Sequence, residues 1–255
     1  MGDDRNLVTP SSWPDIVRSV RARTPARIFV DRGPAYPTQM GLDLRSAHAR
    51  AVDAVWTEFD LERDFPRSFI RQSELFQVST QVVSKSQFLL RPDLGRILSD
   101  NAKGLIAQRC PRAPDFQVVM GDGLSVAALS AQVPALLPLL QQQARARGWT
   151  VGRSFAVRYC RVGIMNEIGD LLAPQVLVLL IGERPGLATA ESLSAYMAYC
   201  PRSGHTDANR NLISNIHARG VRVEDAANRI LNLASRMMAL KLSGSAVKEE
   251  SQALP

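Results

Sequence analysis

Three short glycine-bearing segments carry the residues of this chain that could bind a ligand. They are GDGLS at 121–125, RVG at 161–163 and GERPG at 182–186. Glycine allows tight turns and close backbone approach, and a carboxylate such as Glu183 accepts hydrogen bonds from ligand amides. Arg184 could bind a carboxylate or steady its own loop. The same residues also fit a second interpretation, in which turn glycines and a loop ion pair bind no ligand.

Familiar nucleotide, metal and hydrolase motifs do not occur in this sequence. Residue 126 is valine, so GxGxxG is incomplete, and GxxxxGK[ST] is lacking. His48, His205 and His217 show neither HExxH nor HxH spacing, which predicts no metal site. No GxSxG elbow is present. The three scattered cysteines include no CxxC pair, which is typical of a reducing, intracellular compartment.

The amino-acid composition further limits the classes of protein to which this chain can belong. The 255 residues are 45% hydrophobic and 22% charged, as in ordinary globular domains. No apolar run approaches the ~18 residues that a membrane span needs, so we expect no membrane association. The net charge of +7 would suit nucleic acid, but the arginines are dispersed and no RNA-recognition or helix-turn-helix pattern accompanies them. A basic surface facing an acidic partner subunit explains the charge equally well.

Alternating helices and strands are predicted to position the three segments. Strands are expected at 116–120, 154–160, 175–181 and 193–200. Helices are expected at 15–23, at 42–59, from Pro92 to the cluster that begins at Cys110, at 124–147 with interruptions at Pro134 and Pro138, at 164–172 and at 224–242. The stretch 76–90 is ambiguous. In an open α/β sheet, ligands bind beyond the carboxyl ends of the strands, which is where the three segments lie.

The order of these elements predicts an α/β fold. A mainly helical N-terminal domain at 26–114 is followed by a doubly wound, mostly parallel α/β domain at 115–244. An N-terminal segment at 1–25 and a flexible tail at 245–255 complete the chain.

Four motifs together resemble the light chain of ethanolamine ammonia-lyase. They are RPDLGR at 91–96, DGLS at 122–125, IGERPGL at 181–187 and ISNIH at 213–217, and their order and spacing also fit. The resemblance implies a small subunit that pairs with a large barrel subunit in a hetero-oligomer with several copies of each chain. It implies that the pair converts ethanolamine to acetaldehyde and ammonia by radical chemistry of adenosylcobalamin.

The resemblance also implies which residues touch the cofactor. Glu183 matches the family's cobalamin-contacting carboxylate, Val162 matches a second contact position, and Leu212 stands where the family usually has cysteine. The family's substrate contacts lie on the large subunit, so no catalytic residue is assigned here. The DxHxxG motif is absent, which predicts base-on cobalamin.

The sequence leaves open the cellular location and two alternative functions. Relatives in bacterial microcompartments often carry a longer extension ahead of the segment that begins near Trp13, so we expect a cytoplasmic protein, either free or encapsulated. Leu212 and the irregular segment 31–34 also fit a non-enzymatic binding or assembly module that keeps the fold but has lost cofactor contact. Nucleic-acid binding rests on the net charge alone.

Overall fold

The computed structural model describes Asp15, Ser19 and residues 38–249. The helices are α1 (Thr38–Trp56), α2 (Leu61–Asp64), α3 (Arg67–Gln72), α4 (Lys85–Leu90), α5 (Asp100–Arg109), α6 (Val126–Ala146), α7 (Ile164–Leu172) and α8 (Val223–Leu240). The strands are β1 (Gln77–Ser79), β2 (Phe116–Gly121), β3 (Phe155–Arg158), β4 (Val176–Gly182), β5 (Leu193–Tyr199) and β6 (Asn211–Ile216). The helix predicted at 15–23 and the segment 31–34 lie outside the described residues, apart from the helical Asp15 and Ser19.

One six-stranded sheet organises the described chain, in the order β1-β3-β2-β4-β5-β6. The first four strands in that order are parallel, whereas β5 is antiparallel to both of its neighbours. Five strands therefore run in one direction. The prediction of a mixed α/β fold with a mostly parallel sheet is confirmed.

Helices cover both faces of the sheet, which explains why β2 and β4 are apolar throughout. Val118 and Met120 pack toward α6 and α8, while Val119 packs toward α5 and α7. Successive strand residues point to opposite faces, so a strand covered on both sides needs apolar residues at every position. Among the described residues, no helix has the length and apolarity that a membrane crossing requires.

The segment after Pro92 does not form the single helix predicted there. One 3-10 turn at Leu94–Arg96 is followed by extended chain, and α5 begins only after Ser99, whose hydroxyl accepts a hydrogen bond from the N–H of Ala102. Leu98 bridges to Thr80, just beyond β1. This pairing beside the edge strand gives hydrogen-bond partners to backbone groups that a continuous helix would pair internally. It also buries the Leu98 side chain.

Helix α6 runs unbroken through Pro134 and Pro138, contrary to the predicted interruptions. An internal proline costs a helix ~3 kcal/mol, through a lost hydrogen bond and a clash with the preceding turn. However, α6 buries four leucines, and each fully buried leucine stabilises the fold by ~1.5–3 kcal/mol. Packing against the sheet therefore outweighs both prolines.

Strand β6 and the short β1 were not assigned from the sequence. Only Ile213 and Ile216 of β6 are buried, and Asn215 between them has a φ of 62°. The period of two that identifies a strand is therefore missing. The ambiguous stretch at 76–90 contains β1 and α4, so a strand and a helix share it.

Two contacts between described residues cross the predicted domain boundaries. Strand β1 comes from the region predicted as mainly helical, yet it pairs with β3 in the same sheet. Val247, in the predicted tail, is buried, and its carbonyl accepts a hydrogen bond from the Asn211 amide at 2.6 Å. The division into domains itself stays a prediction.

A fully buried carboxylate ties β2 to the chain that follows β3. Asp122 accepts hydrogen bonds from the backbone N–H groups of Tyr159 at 2.9 Å and Cys160 at 2.8 Å. Burial raises the pKa of Asp122 to about 6, because the desolvation of its charge outweighs those two bonds and the nearby positive charge of Lys85.

Two helical glycines should respond in opposite ways to alanine. In α5, the position that a Cβ atom on Gly104 would occupy has nothing within 4 Å, whereas a Cβ atom on Gly169 in α7 would overlap the carbonyl of Pro201. We expect Gly104→Ala to raise the free energy of unfolding by ~1 kcal/mol through helix propensity. Gly169→Ala should lower it by ~1–3 kcal/mol through overpacking. Urea denaturation of both variants measures this, and a stabilising Gly169→Ala would contradict the close approach.

The ionisation of Asp122 should appear in the pH dependence of stability. Because its folded-state pKa of about 6 exceeds the ordinary 3.8, its contribution is fully present below pH 3.8 and is lost as the pH rises through 6. We expect the wild-type chain to gain stability relative to Asp122→Asn when the pH falls from 7 to 4. Urea denaturation across that range tests the expectation, and parallel curves for the two proteins would refute it.

Candidate functional site

The four sequence motifs converge at the carboxyl end of the sheet. DGLS follows β2, RVG follows β3 and IGERPGL spans the end of β4. These three segments therefore meet at the carboxyl end of the sheet. RPDLGR lies against the loop after β3, and ISNIH forms most of β6. The expectation that the candidate segments share this edge is confirmed.

DGLS and IGERPGL are in direct backbone contact. Gly123 has a φ of 54°, and a Cβ atom there would overlap the carbonyl of Gly182. The N–H of Leu124 donates to that same carbonyl at 3.1 Å. Ser125 then caps α6, because its hydroxyl accepts the N–H of Ala128 at 3.3 Å. Only glycine allows this left-handed backbone and close approach without strain, so the turn residues have a structural reason independent of any ligand.

RPDLGR holds the loop that bears Val162. The N–H of Arg161 donates to the carbonyl of Gly95 at 2.8 Å. The Arg161 guanidinium donates to the Phe88 carbonyl at 3.0 Å, and its Cζ lies 4.1 Å from the centroid of the Phe88 ring. A cation over an aromatic face is attracted by the ring's negative quadrupole. Val162 therefore follows a residue whose backbone and side chain are both held in place.

Glu183 joins IGERPGL to ISNIH. Its carboxylate accepts hydrogen bonds from the hydroxyls of Ser192 at 2.7 Å and Ser194 at 2.6 Å, and from the N–H of Asn215 at 2.9 Å. A carboxylate has about four acceptor positions, so one position is available to a ligand. Sequence analysis missed the two serines. Their spacing of two in extended chain, which puts both on one face, is the signal that could have found them.

ISNIH has its own internal hydrogen bonds. The His217 ring accepts the N–H of Arg219 at Nδ1, 3.3 Å away, so Nε2 carries the proton and donates to the Asn215 amide oxygen at 2.7 Å. Burial, followed by the charge of Arg219, lowers the pKa of His217 and favours this neutral form. The histidine thus orients Asn215, whose N–H binds Glu183.

Two cavities adjoin at this end of the sheet and share Arg161, Val162 and Tyr196. The smaller, about 220 Å³, brings Val162 together with Glu183, Ser194 and Gly123. The larger, about 690 Å³, extends past Val162 toward the loop between β5 and β6. Glu183 and Arg184 are the charged residues found only in the smaller cavity, whereas both acidic and basic side chains line the larger one.

Leu212 lies beside these cavities rather than among the described residues that line them. It is paired with Tyr196 across β5 and β6, so both side chains project from the same face of the sheet. Leu212 is 47% exposed, because no described helix covers this part of the face. The cofactor-binding roles of Val162, Glu183 and Leu212 stay predictions.

Known proteins of one family are similar to this chain over most of its length. The family model for the ethanolamine ammonia-lyase light chain (EutC) matches residues 14–248. The ethanolamine ammonia-lyase small subunit of Clostridium perfringens is 40% identical over 230 residues, which cover 90% of this chain and 76% of that protein. Both matches extend across the whole sheet and all four motifs. The chain therefore belongs to the ethanolamine ammonia-lyase light-chain family.

Proposed function

We propose that this chain is the small subunit of an adenosylcobalamin-dependent ethanolamine ammonia-lyase and forms part of its cobalamin-binding surface. The observation that carries the proposal is the meeting of Val162 and Glu183 in one cavity, with Leu212 on the adjoining face. The Clostridium perfringens relative named as a small subunit supports the assignment of the enzyme.

The chemistry of Glu183 fits the rim of a corrin. Cobalamin carries amide side chains, whose N–H groups need acceptors when they leave water. Glu183 has an acceptor position available, and three donors already hold its carboxylate in place. Binding therefore requires little reordering of this side chain. When bound, adenosylcobalamin would supply a radical through homolysis of its cobalt–carbon bond.

Val162 and Leu212 offer apolar contact on either side of Tyr196. A leucine in place of the family's usual cysteine removes a thiol but leaves apolar surface for packing. Leu212 is 47% exposed on the open face of β5 and β6, so this chain alone would leave part of a bound corrin uncovered. A second protein has to cover the remainder, which supports pairing with a large subunit in a hetero-oligomer.

The division of labour between the two subunits rests on the family resemblance. We assign the substrate site to the large subunit and no catalytic residue to this chain, whose groups bind and orient the cofactor. Base-on binding and a cytoplasmic location, free or within a bacterial microcompartment, belong to the same proposal.

Reconstitution tests the enzyme directly. This chain is co-expressed with the large subunit, and acetaldehyde release from ethanolamine is assayed with added adenosylcobalamin. We expect activity only when both chains and the cofactor are present. An intact complex without activity would instead favour the assembly-module hypothesis, and two chains that fail to associate would overturn the proposal.

Removal of the Glu183 carboxylate should weaken cofactor binding. We expect Glu183→Ala to raise the Kd of the assembled complex for adenosylcobalamin by roughly 10- to 100-fold, which corresponds to a lost charged acceptor worth ~1–3 kcal/mol. The matched control is Glu191→Ala, an exposed carboxylate in the same loop. Equilibrium titration followed by absorbance measures both, and equal Kd values for Glu183→Ala and wild type would remove Glu183 from the site.

A further inference from the structure

A separate cavity lies at the amino end of the sheet, opposite to the end that bears Glu183. It is bounded by the turn after α3, the last turns of α5 and α6, and the loop that precedes β3. Its volume of about 540 Å³ is in the range of small-molecule sites. Three arginines line it: Arg109, Arg145 and Arg153. None of the described residues that line this arginine cavity belongs to the four sequence motifs.

A buried glutamine fixes the loop that carries Arg153. Gln117 on β2 is fully buried, and its amide donates to the Arg153 carbonyl at 2.9 Å. A Cβ atom on Gly152 would overlap the side-chain oxygen of Gln117, so glycine lets the loop lie directly on that side chain. The core therefore holds this loop in place before any ligand arrives, which lowers the entropic cost of binding.

One aromatic ring orients two of the guanidinium groups. The Cζ atoms of Arg109 and Arg153 lie 5.3 and 5.4 Å from the centroid of the Phe76 ring. Each cation is attracted by the negative charge of the ring's π-system. The two positive charges are thereby brought near each other, and an anion that lies between them offsets their mutual repulsion.

The positive charge of the arginine cavity is not balanced by the residues that line it. Glu74 is the one carboxylate among the described lining residues, and it lies 4.0 Å from Arg153 with 72% of its side chain exposed. An exposed pair at this distance contributes little. Neither Arg109 nor Arg145 takes part in an ion pair between described residues. Three guanidinium groups and one carboxylate leave an excess of two positive charges.

The donor groups of these arginines can reach a ligand. Arg109 and Arg145 are exposed, and the Arg153 side chain is 32% exposed. Nε of Arg153 donates to the Glu74 carbonyl at 2.9 Å, which leaves its two terminal nitrogens without an acceptor in the part of the chain that the structure describes. A guanidinium anchored in this way presents its terminal nitrogens as the fork that binds oxyanions.

Compensation of helix dipoles explains only part of this arrangement. Arg109 and Arg145 stand in the last turns of α5 and α6, where the negative end of the dipole favours a positive side chain. Arg153 instead stands in the loop before β3, and its guanidinium shares the Phe76 ring with that of Arg109. The grouping of all three charges around one cavity needs a further reason, and a bound anion supplies it.

A phosphate monoester matches the charge and the donors of the arginine cavity. It concentrates close to two negative charges on one compact group near neutral pH, whereas a carboxylate carries one. Guanidinium groups bind phosphate oxygens with short, charge-assisted hydrogen bonds. We propose that this cavity binds the phosphate group of a small phosphate monoester through Arg109, Arg145 and Arg153. The inference is independent of the proposed function, because the cavity and Glu183 lie at opposite ends of the sheet.

Two methyl esters of similar shape and different charge test the proposal. Near neutral pH, methyl phosphate is mainly a dianion and methyl sulfate is a monoanion. Each is titrated into the full-length chain by isothermal titration calorimetry at constant ionic strength, because salt screens exposed charges. We expect methyl phosphate to bind roughly 10-fold more tightly, the ratio for one charge-assisted hydrogen bond. Its Kd should rise as the pH falls through about 6, where the phosphate takes up its second proton.

The decisive variant is Arg145→Gln, because this side chain is exposed on α6 and its loss breaks no ion pair between described residues. We expect it to raise the Kd for methyl phosphate roughly 10-fold, and Arg153→Gln to raise it at least as much. Arg112→Gln is the matched control. It removes the same charge from an exposed arginine at the same end of the sheet, but Arg112 does not line the cavity. This variant should keep the wild-type Kd.

Three results would each overturn the proposal. A wild-type chain that does not bind methyl phosphate, or that binds both esters equally, would show that the cavity has no site for a dianion. An unchanged Kd in Arg145→Gln would leave these arginines with no role beyond the helix ends and the Phe76 ring. An equal rise of the Kd in Arg112→Gln and Arg145→Gln would assign the attraction to the net charge of the chain instead of to this cavity.

Discussion

The buried carboxylate of Asp122 is the interaction on which the carboxyl end of the sheet depends. It accepts the backbone N–H groups of Tyr159 and Cys160, immediately ahead of the loop that carries Arg161 and Val162. The same loop is also held by the N–H of Arg161, which donates to the carbonyl of Gly95 at 2.8 Å. Because the acceptor is inside the core, any shift of the loop would take two hydrogen bonds from a buried carboxylate, and that cost keeps the loop in one place.

A second carboxylate extends the same principle to the antiparallel edge. Glu183 binds Ser192, Ser194 and Asn215, so the ends of β4, β5 and β6 are connected through one side chain. Unlike Asp122, it is only partly buried and lines a cavity. The Glu183 carboxylate, which connects these three strands, is therefore also the group best placed to contact a ligand. Substitution of Glu183 would affect both local stability and ligand contact.

The sheet is covered on both faces at its centre but not at its β6 edge. Helices α5 and α7 pack on the face that bears Val119, and this cover ends before Leu212. Apolar and polar groups on this part of the face are therefore exposed and available for contact with a partner. In the function proposed above, a second protein covers the part of the cofactor that this open edge leaves exposed.

The sequence by itself determined the mixed α/β class and predicted that the candidate segments meet at the carboxyl end of the sheet. Continuous apolar strands such as Val176–Gly182 require a sheet covered on both faces, and glycine-bearing loops after such strands mark the ligand-binding edge. Tertiary structure decided the rest, because each remaining feature depends on energies contributed by distant residues. Burial on the sheet keeps α6 continuous through Pro134 and Pro138, and pairing with β1 breaks the helix predicted after Pro92. Only the folded chain could place Ser192 and Asn215 against Glu183, since local periodicity contains no information about contacts between segments far apart in sequence.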